Sequence, residues 1–384
     1  MSRTHHEQVA EQALTSAQAM AEPNEAARLL LATIEKIPRL PEFAEPIVRL
    51  SGTILDPARR PDDMALVVEA LRWLFHAARI VGADPLLQRA GEVVDGLEAE
   101  GPAAARVDWM KAMWRTAYLA RAKGYAAAQD AHRVAASKAE RIADETMELD
   151  LRLLRLDIEL RHDNRNAALQ QIERTLELLE DRDEVWDGER YHLENARNLI
   201  LTQRDDSELT LEGMMRAYEC ARRHEATHDI AQSTVALIPL LLHMERAAEA
   251  VALAKSALEA LQAADGPVEL EMVLWQLQIK AHEVRKDLNA AVQTGFGAIA
   301  RAGALGMISH YVNFCINVAS LYFEADMPVD AYHMLQTSQG ALEQRGDSPQ
   351  YVLQIEQLRE AMAADLGPER MAEVIEMWKR REQG

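Results

Sequence analysis

The chain has 384 residues, of which 48% are apolar but only 5% aromatic. Its 62 acidic and 42 basic residues leave a formal net charge of −20, which argues against nucleic acid, a ligand that needs a concentrated basic face. Two cysteines without a CxxC pair, and no apolar run near the roughly 18 residues of a membrane span, speak against a disulfide framework and a bilayer, so a soluble cytoplasmic protein is expected.

In chain order, the first 60 residues carry five of the thirteen prolines, and short helices are predicted near 5–20, 23–37 and 42–55. From residue 62 the punctuation predicts paired helices at 62–81/84–98, 104–122/125–143, 145–162/164–180 and 188–203/207–224. The pairs continue at 228–243/246–264, 267–285/288–303, 306–325/328–345 and 349–364/368–381. Gly101-Pro102, Gly266-Pro267 and Gly367-Pro368 each set a C-cap glycine beside a proline suited to the next first turn. Pro239 falls inside a predicted helix and is expected to kink it. The divisions expected are 1–61 as an irregular helical cap or degenerate repeats, 62–345 as the repeat array and 346–384 as a capping hairpin.

Across the second helices runs a pair of small residues seven apart: Ala128/Ala135, Ala168/Thr175, Gly213/Cys220, Ala250/Ala257, Ala291/Ala298 and Ala331/Ser338. Successive pairs are separated by 40, 45, 37, 41 and 40 residues. A period of that length is the mark of a solenoid of stacked helical hairpins. Small residues two turns apart share a face on which a neighbouring helix can approach closely. Runs of alternating β-branched residues are missing, so no sheet is expected. The fold class predicted is all-α, a right-handed α-solenoid of about seven to nine hairpins.

Residues 245–261 (Glu-Arg-Ala-Ala-Glu-Ala-Val-Ala-Leu-Ala-Lys-Ser-Ala-Leu-Glu-Ala-Leu) and the set Ala319, Tyr322, Ala331, Ser338 resemble tetratricopeptide repeats. The unit is nearer 40 than 34 residues, similar to the longer variant in bacterial regulators and peptide receptors. The likeness covers about 84–345 and departs at Glu159 and Arg204, where the family places an aromatic. HEAT or armadillo repeats are the competing assignment. The resemblance implies an inner surface lined by the first helices. Carried onto this chain, the inward residues are Trp114, Arg121, Asp157, Arg161, Asn195, Asn198, Thr202, Gln276, Lys280, Asn313, Asn317 and Ser320. Asparagine offers a donor and an acceptor, which suits an extended peptide backbone.

His224-Glu225-Ala226-Thr227-His228 fits H-E-x-x-H, which on one helix would supply two zinc ligands and a general base. It falls where one helix is predicted to end and the next to begin, so a structural joint is expected and a metal-dependent hydrolase is the alternative. No P-loop, nucleophile elbow or dinucleotide motif is present, and no cofactor is implied. Cys220 and Cys315 occupy packing positions and are expected to be buried, inert thiols. The function expected is a non-catalytic scaffold binding another protein or peptide. Direct nucleic-acid or membrane binding is not expected, a homodimer is possible in principle, and a purely structural homo-oligomer is a third reading.

Overall fold

The computed structural model describes residues 3–80, 84–122, 124–182, 184–202, 207–345 and 349–383. Among them the chain is all-α, with eighteen α-helices and no strand. It divides into two compact units, Met1–Ile230 and Ala231–Gly384.

The first unit opens with α1 (Arg3–Ala19), α2 (Pro23–Ile34) and α3 (Ala44–Ile54). Hairpins follow as α4 (Met64–Ile80) with α5 (Asp84–Asp95), α6 (Pro102–Ala122) with α7 (Tyr125–Glu140), and α8 (Glu145–Arg161) with α9 (Arg165–Leu179). The last is α10 (Asp187–Thr202) with α11 (Ser207–Arg223), and α12 (Thr227–His243) starts beyond it. From α1 to α11 each helix packs on the next in the chain, and the first helices also touch one another, α4 on α6 and α6 on α8. That second set of contacts makes a stack of hairpins rather than a string of them. One core runs from Ala10 through Phe43, Leu71 and Trp109 to Ala226.

The second unit continues with α13 (Ala247–Ala263), α14 (Val268–Val284), α15 (Leu288–Ala304), α16 (Ile308–Glu324), α17 (Pro328–Arg345) and α18 (Pro349–Gln383). Its core gathers Met272, Phe314, Leu335 and Met362. Inside α18, Gly367 at φ 75° breaks the helix just before Pro368. Pro239 lies within α12, as the sequence predicts. In the last helix Met371 and Val374 are buried while Ala372 is exposed, so the small-residue register does not extend there.

All twelve positions of the small-residue pairs are buried, on α7, α9, α11, α13, α15 and α17. Ala128, Ala135, Ala168, Ala250, Ala291, Ala298, Ala331 and Ser338 are each 0% exposed. The repeat is therefore a packing repeat. At Gly213 an added Cβ would lie 2.3 Å from Asn198 Oδ1 and 2.9 Å from Glu194 Oε2, so the small residue leaves room for polar atoms of the preceding helix.

The short turns share one backbone device. Asp163, Glu225, Glu245, Lys286 and Asp326 adopt positive φ directly after a helix. At Lys286 (φ 58°) its N–H donates to Glu283 O (2.8 Å) and the Asp287 N–H donates to His282 O (3.0 Å), the paired bonds of a Schellman close. Asp265, not Gly266, takes the left-handed position at the α13–α14 joint. Gly266 follows it, with room for a Cβ denied by Leu261 Cδ1 at 2.6 Å. A side chain at positive φ costs about 1–2 kcal/mol, partly offset by the entropy a glycine would lose. Lys286→Gly, at an exposed turn, is expected to raise stability by about 0.5 kcal/mol in urea denaturation followed by circular dichroism.

Candidate functional site

The first helices of the first unit converge on a set of cations. Arg79 of α4 is buried, and its nearest anion is Asp157 of α8, with Nη1 to Oδ1 at 3.7 Å. That is an ion pair beyond hydrogen-bonding distance, and neither Nη1 nor Nη2 has a hydrogen-bond partner. Asp157 also feels the charges of Arg161 on its own helix and Arg121 on α6. Burial pushes the Asp157 carboxyl up even so, with the three arginines opposing it. Burial beside Arg79 takes His192 of α10 down to about 3, and burial holds His76 of α4 well below the usual histidine range. Both rings are therefore neutral near pH 7. Three guanidinium groups surround one aspartate, and buried Arg79 leaves both terminal nitrogens as donors for an incoming anion.

This cluster has a polar neighbour. His76 Nε2 lies 3.5 Å from Glu189 Oε1, and Glu189 of α10 is 1% exposed. The same Oε1 accepts a 2.7 Å hydrogen bond from Arg39 Nη1, which comes from the loop between α2 and α3. The Arg39 guanidinium sits 4.3 Å from the centre of the Trp73 ring and 4.5 Å from that of Trp186. A cation between two indole faces is a favourable electrostatic arrangement. Three residues after Arg39, the Glu42 carboxylate accepts the His228 N–H at 2.8 Å, near the N-terminus of α12. The Glu42 N–H in turn donates to Asp229 Oδ2 at 3.3 Å.

Of the inward residues expected from the sequence, Arg121, Asp157 and Arg161 come together here. Arg161 and Thr202 are exposed, and Arg121, Asp157 and Asn195 are partly so. Trp114 is 5% exposed, packed edge-on to Phe75 with centroids 5.0 Å apart. Asn198 is 3% exposed and lies against Gly213 of α11. In the second unit Gln276, Asn313, Asn317 and Ser320 are partly exposed, and Lys280 is exposed with its ammonium 2.7 Å from Glu283. Arg204 lies outside the described residues. Glu159, the other departure from the aromatic pattern, is fully buried and accepts from Tyr125 Oη (2.9 Å) and Asn164 Nδ2 (3.0 Å).

The H-E-x-x-H residues form a joint. Glu225 stands at φ 51° between α11 and α12, so His224 and His228 do not share a helix face. His224 Nε2 is 3.1 Å from Asp187, a buried carboxylate that also receives Arg190 (2.8 Å) and Arg223 (2.7 Å). Those bonds hold Asp187 well below the ordinary carboxylate range. Among the described residues no group of three or more His, Cys, Asp or Glu could hold a metal ion. Cys220 and Cys315 are both buried, and burial pushes each thiol up to about 12, which suppresses the reactive thiolate. No described helix is long and apolar enough to cross a membrane.

No family model matches the chain, and no curated protein matches it. Among solved structures it is similar to a signal-transduction ATPase with numerous domains and a tetratricopeptide-repeat sensor, from Pyrococcus horikoshii. The TM-score is 0.52 at 13% identity, over 94% of this chain and 55% of that one. Aspartyl phosphate phosphatase F from Bacillus subtilis gives a TM-score of 0.43 at 12% identity, over 85% of this chain and 94% of that one. A Rap protein complexed with competence and sporulation factor gives 0.40 at 13% identity, over 84% and 87%. The first likeness, with the buried small-residue repeat, makes the chain a tetratricopeptide-like helical-repeat protein, an all-α solenoid in fold.

Proposed function

We propose that this chain is a non-catalytic scaffold that binds an acidic segment of another protein on the inner face of its first unit, at Arg79, Arg121 and Arg161. One observation carries the reading. Arg79 is a buried guanidinium whose close anion among the described residues, Asp157, stands at 3.7 Å, with both terminal nitrogens lacking a hydrogen-bond partner. A buried charge left in that state is costly unless a ligand completes its bonds. The surrounding chain has a net charge of −20 and repels acidic peptides at long range, so a preference for them has to come from a local site. The reading makes no use of the H-E-x-x-H residues, which the α11–α12 turn separates.

The test is fluorescence anisotropy with dye-labelled nonapeptides carrying zero, two or four glutamates. The four-glutamate peptide is expected to bind most tightly, and more weakly as salt rises. Arg79→Gln is expected to lower that affinity about tenfold, roughly 1.4 kcal/mol. Equal affinity for neutral and acidic peptides, or an unchanged affinity in a folded Arg79→Gln protein, defeats the assignment.

A further inference from the structure

The loop between α2 and α3 reads Ile37-Pro38-Arg39-Leu40-Pro41-Glu42-Phe43, and it sits in the first unit as a bound peptide sits in a receptor. Its hydrogen bonds to α10 and α12 cross 150, 187 and 186 residues of sequence. Arg39 lies between two indoles with a carboxylate at its end. Its main chain passes so close to α10 that a Cβ on residue 188 would fall 2.1 Å from Arg39 O, and position 188 is glycine. Glu42 places an anion on a backbone amide in the first turn of α12, where the helix dipole favours negative charge.

We propose that Arg39 and Glu42 are an intramolecular ligand, and that a partner segment of the same chemistry takes their place. The partner is an extended, proline-flanked stretch of another protein with an arginine followed three residues later by a glutamate. This inference rests on the reading of the chain as a binding scaffold, and it concerns how the inner face is regulated. The receptor side is Trp73, Trp186, Gly188, Glu189 and the first turn of α12. It holds more polar capacity than the loop uses. Glu189 Oε2 and Asp229 Oδ1, on fully or nearly fully buried side chains, have no hydrogen-bond partner, and neither does His76 Nε2. A ligand that contributes further donors satisfies them, whereas the tethered loop does not. The site adjoins the arginine cluster through His76, which feels both Arg39 and Arg79, so displacing the loop alters the field on the acidic-segment site.

A tethered ligand competes at an effective concentration in the millimolar range, so the intact chain masks the site from weaker partners. The experiment uses the full chain with Arg39→Ala and Glu42→Ala combined, which leaves the buried anchors Ile37, Leu40 and Phe43 in place. The probe is a dye-labelled peptide of residues 35–45. The double variant is expected to bind it at least tenfold more tightly than the unaltered chain, with quenching of tryptophan emission. A peptide with both substitutions is expected to bind neither protein. Equal binding of the native-sequence peptide to both proteins, with the variant's helicity and melting transition intact, overturns the proposal. Should the double variant fail to fold, Arg39→Gln alone keeps most of the loop side chain's length and leaves every receptor-side residue unaltered. It must then show the gain, and no gain in that variant overturns the proposal as well. The four-glutamate peptide is titrated into the same samples. Its binding without that of residues 35–45 leaves the scaffold reading standing and removes this one, while the reverse pattern removes the arginine-cluster assignment alone.

Discussion

Asp229→Asn is expected to make the protein more stable above pH 7, by up to about 4 kcal/mol at pH 8. Asp229 is 0% exposed, accepts one backbone N–H from Glu42, and has an oxygen without any partner. Burial pushes its carboxyl from 3.8 up to about 7, the Glu42 N–H opposing this and the Glu42 charge adding to it. The sign follows from which state holds the proton. A carboxyl raised in the folded state stabilises the fold fully below 3.8, and that contribution is lost as pH rises to about 7. Above it, the folded chain carries a buried, incompletely bonded anion beside a second carboxylate. Asparagine has the same shape, still accepts from Glu42 and never ionises.

The variant and the unaltered chain are therefore expected to have similar stability near pH 4 and to diverge as pH rises, in urea denaturation at half-unit steps. Burial also lowers His6 to about 4, His192 to about 3, and His76. Each of these contributes stability that is present above 6.5 and lost as pH falls below it. Those slopes are common to both proteins and cancel in the difference. Parallel pH profiles would mean that Asp229 does not ionise in this window.

The helices were legible because their ends are punctuated. Pro102, Pro328 and Pro349 open helices, Asp144 and Asp287 cap them with side-chain bonds, and positive-φ residues close them. The small-residue pairs were legible because a helix that meets a neighbour at close range admits only small side chains at the crossing. The expectation that a glycine occupies the left-handed turn position failed at Asp265, since a Schellman close admits other residues at modest cost.

The resemblance to tetratricopeptide repeats put Arg121, Asp157 and Arg161 on the first helices' inward side, but a carried-over register does not separate a groove from a packed flank. Asn198 faces Gly213, and the absence of a side chain there is what lets the amide be buried. Arg39, Trp186 and Glu189 were not singled out, and Asp229 was read only as a helix cap. Their meeting depends on contacts more than a hundred residues apart, which no local period encodes. The signal available was the proline-bounded Pro38-Arg39-Leu40-Pro41-Glu42 stretch, too short to be a helix and too specific to be a spacer. It marks a break between two helices of the first 60 residues, without showing where that segment docks.

Gly188→Ala is expected to be among the most damaging single-methyl changes in the first unit, lowering stability by about 3 kcal/mol. The added carbon would lie 2.1 Å from Arg39 O, 2.3 Å from Arg39 C and 2.6 Å from Arg39 Cβ. Two of those atoms are main chain, so a rotamer change cannot relieve the contact. Either α10 or the loop must shift, and the loop has fewer neighbours to move with it. A shift there takes Arg39 from between Trp73 and Trp186, and Glu42 from the first turn of α12. Red-shifted tryptophan emission and faster proteolysis within residues 36–43 should therefore accompany the lost stability. Gly52→Ala, on the exposed side of α3 with nothing within 4 Å of the new carbon, is the matched control. It should stabilise the protein by about 0.5–1 kcal/mol, because alanine loses less backbone freedom than glycine in a helix. Opposite signs for the same methyl would show that residue 188 is fixed by the close passage of Arg39 and not by helix propensity. A neutral Gly188→Ala with unchanged tryptophan emission would mean that the loop does not pass that close in solution, and the intramolecular-ligand proposal would lose its central contact.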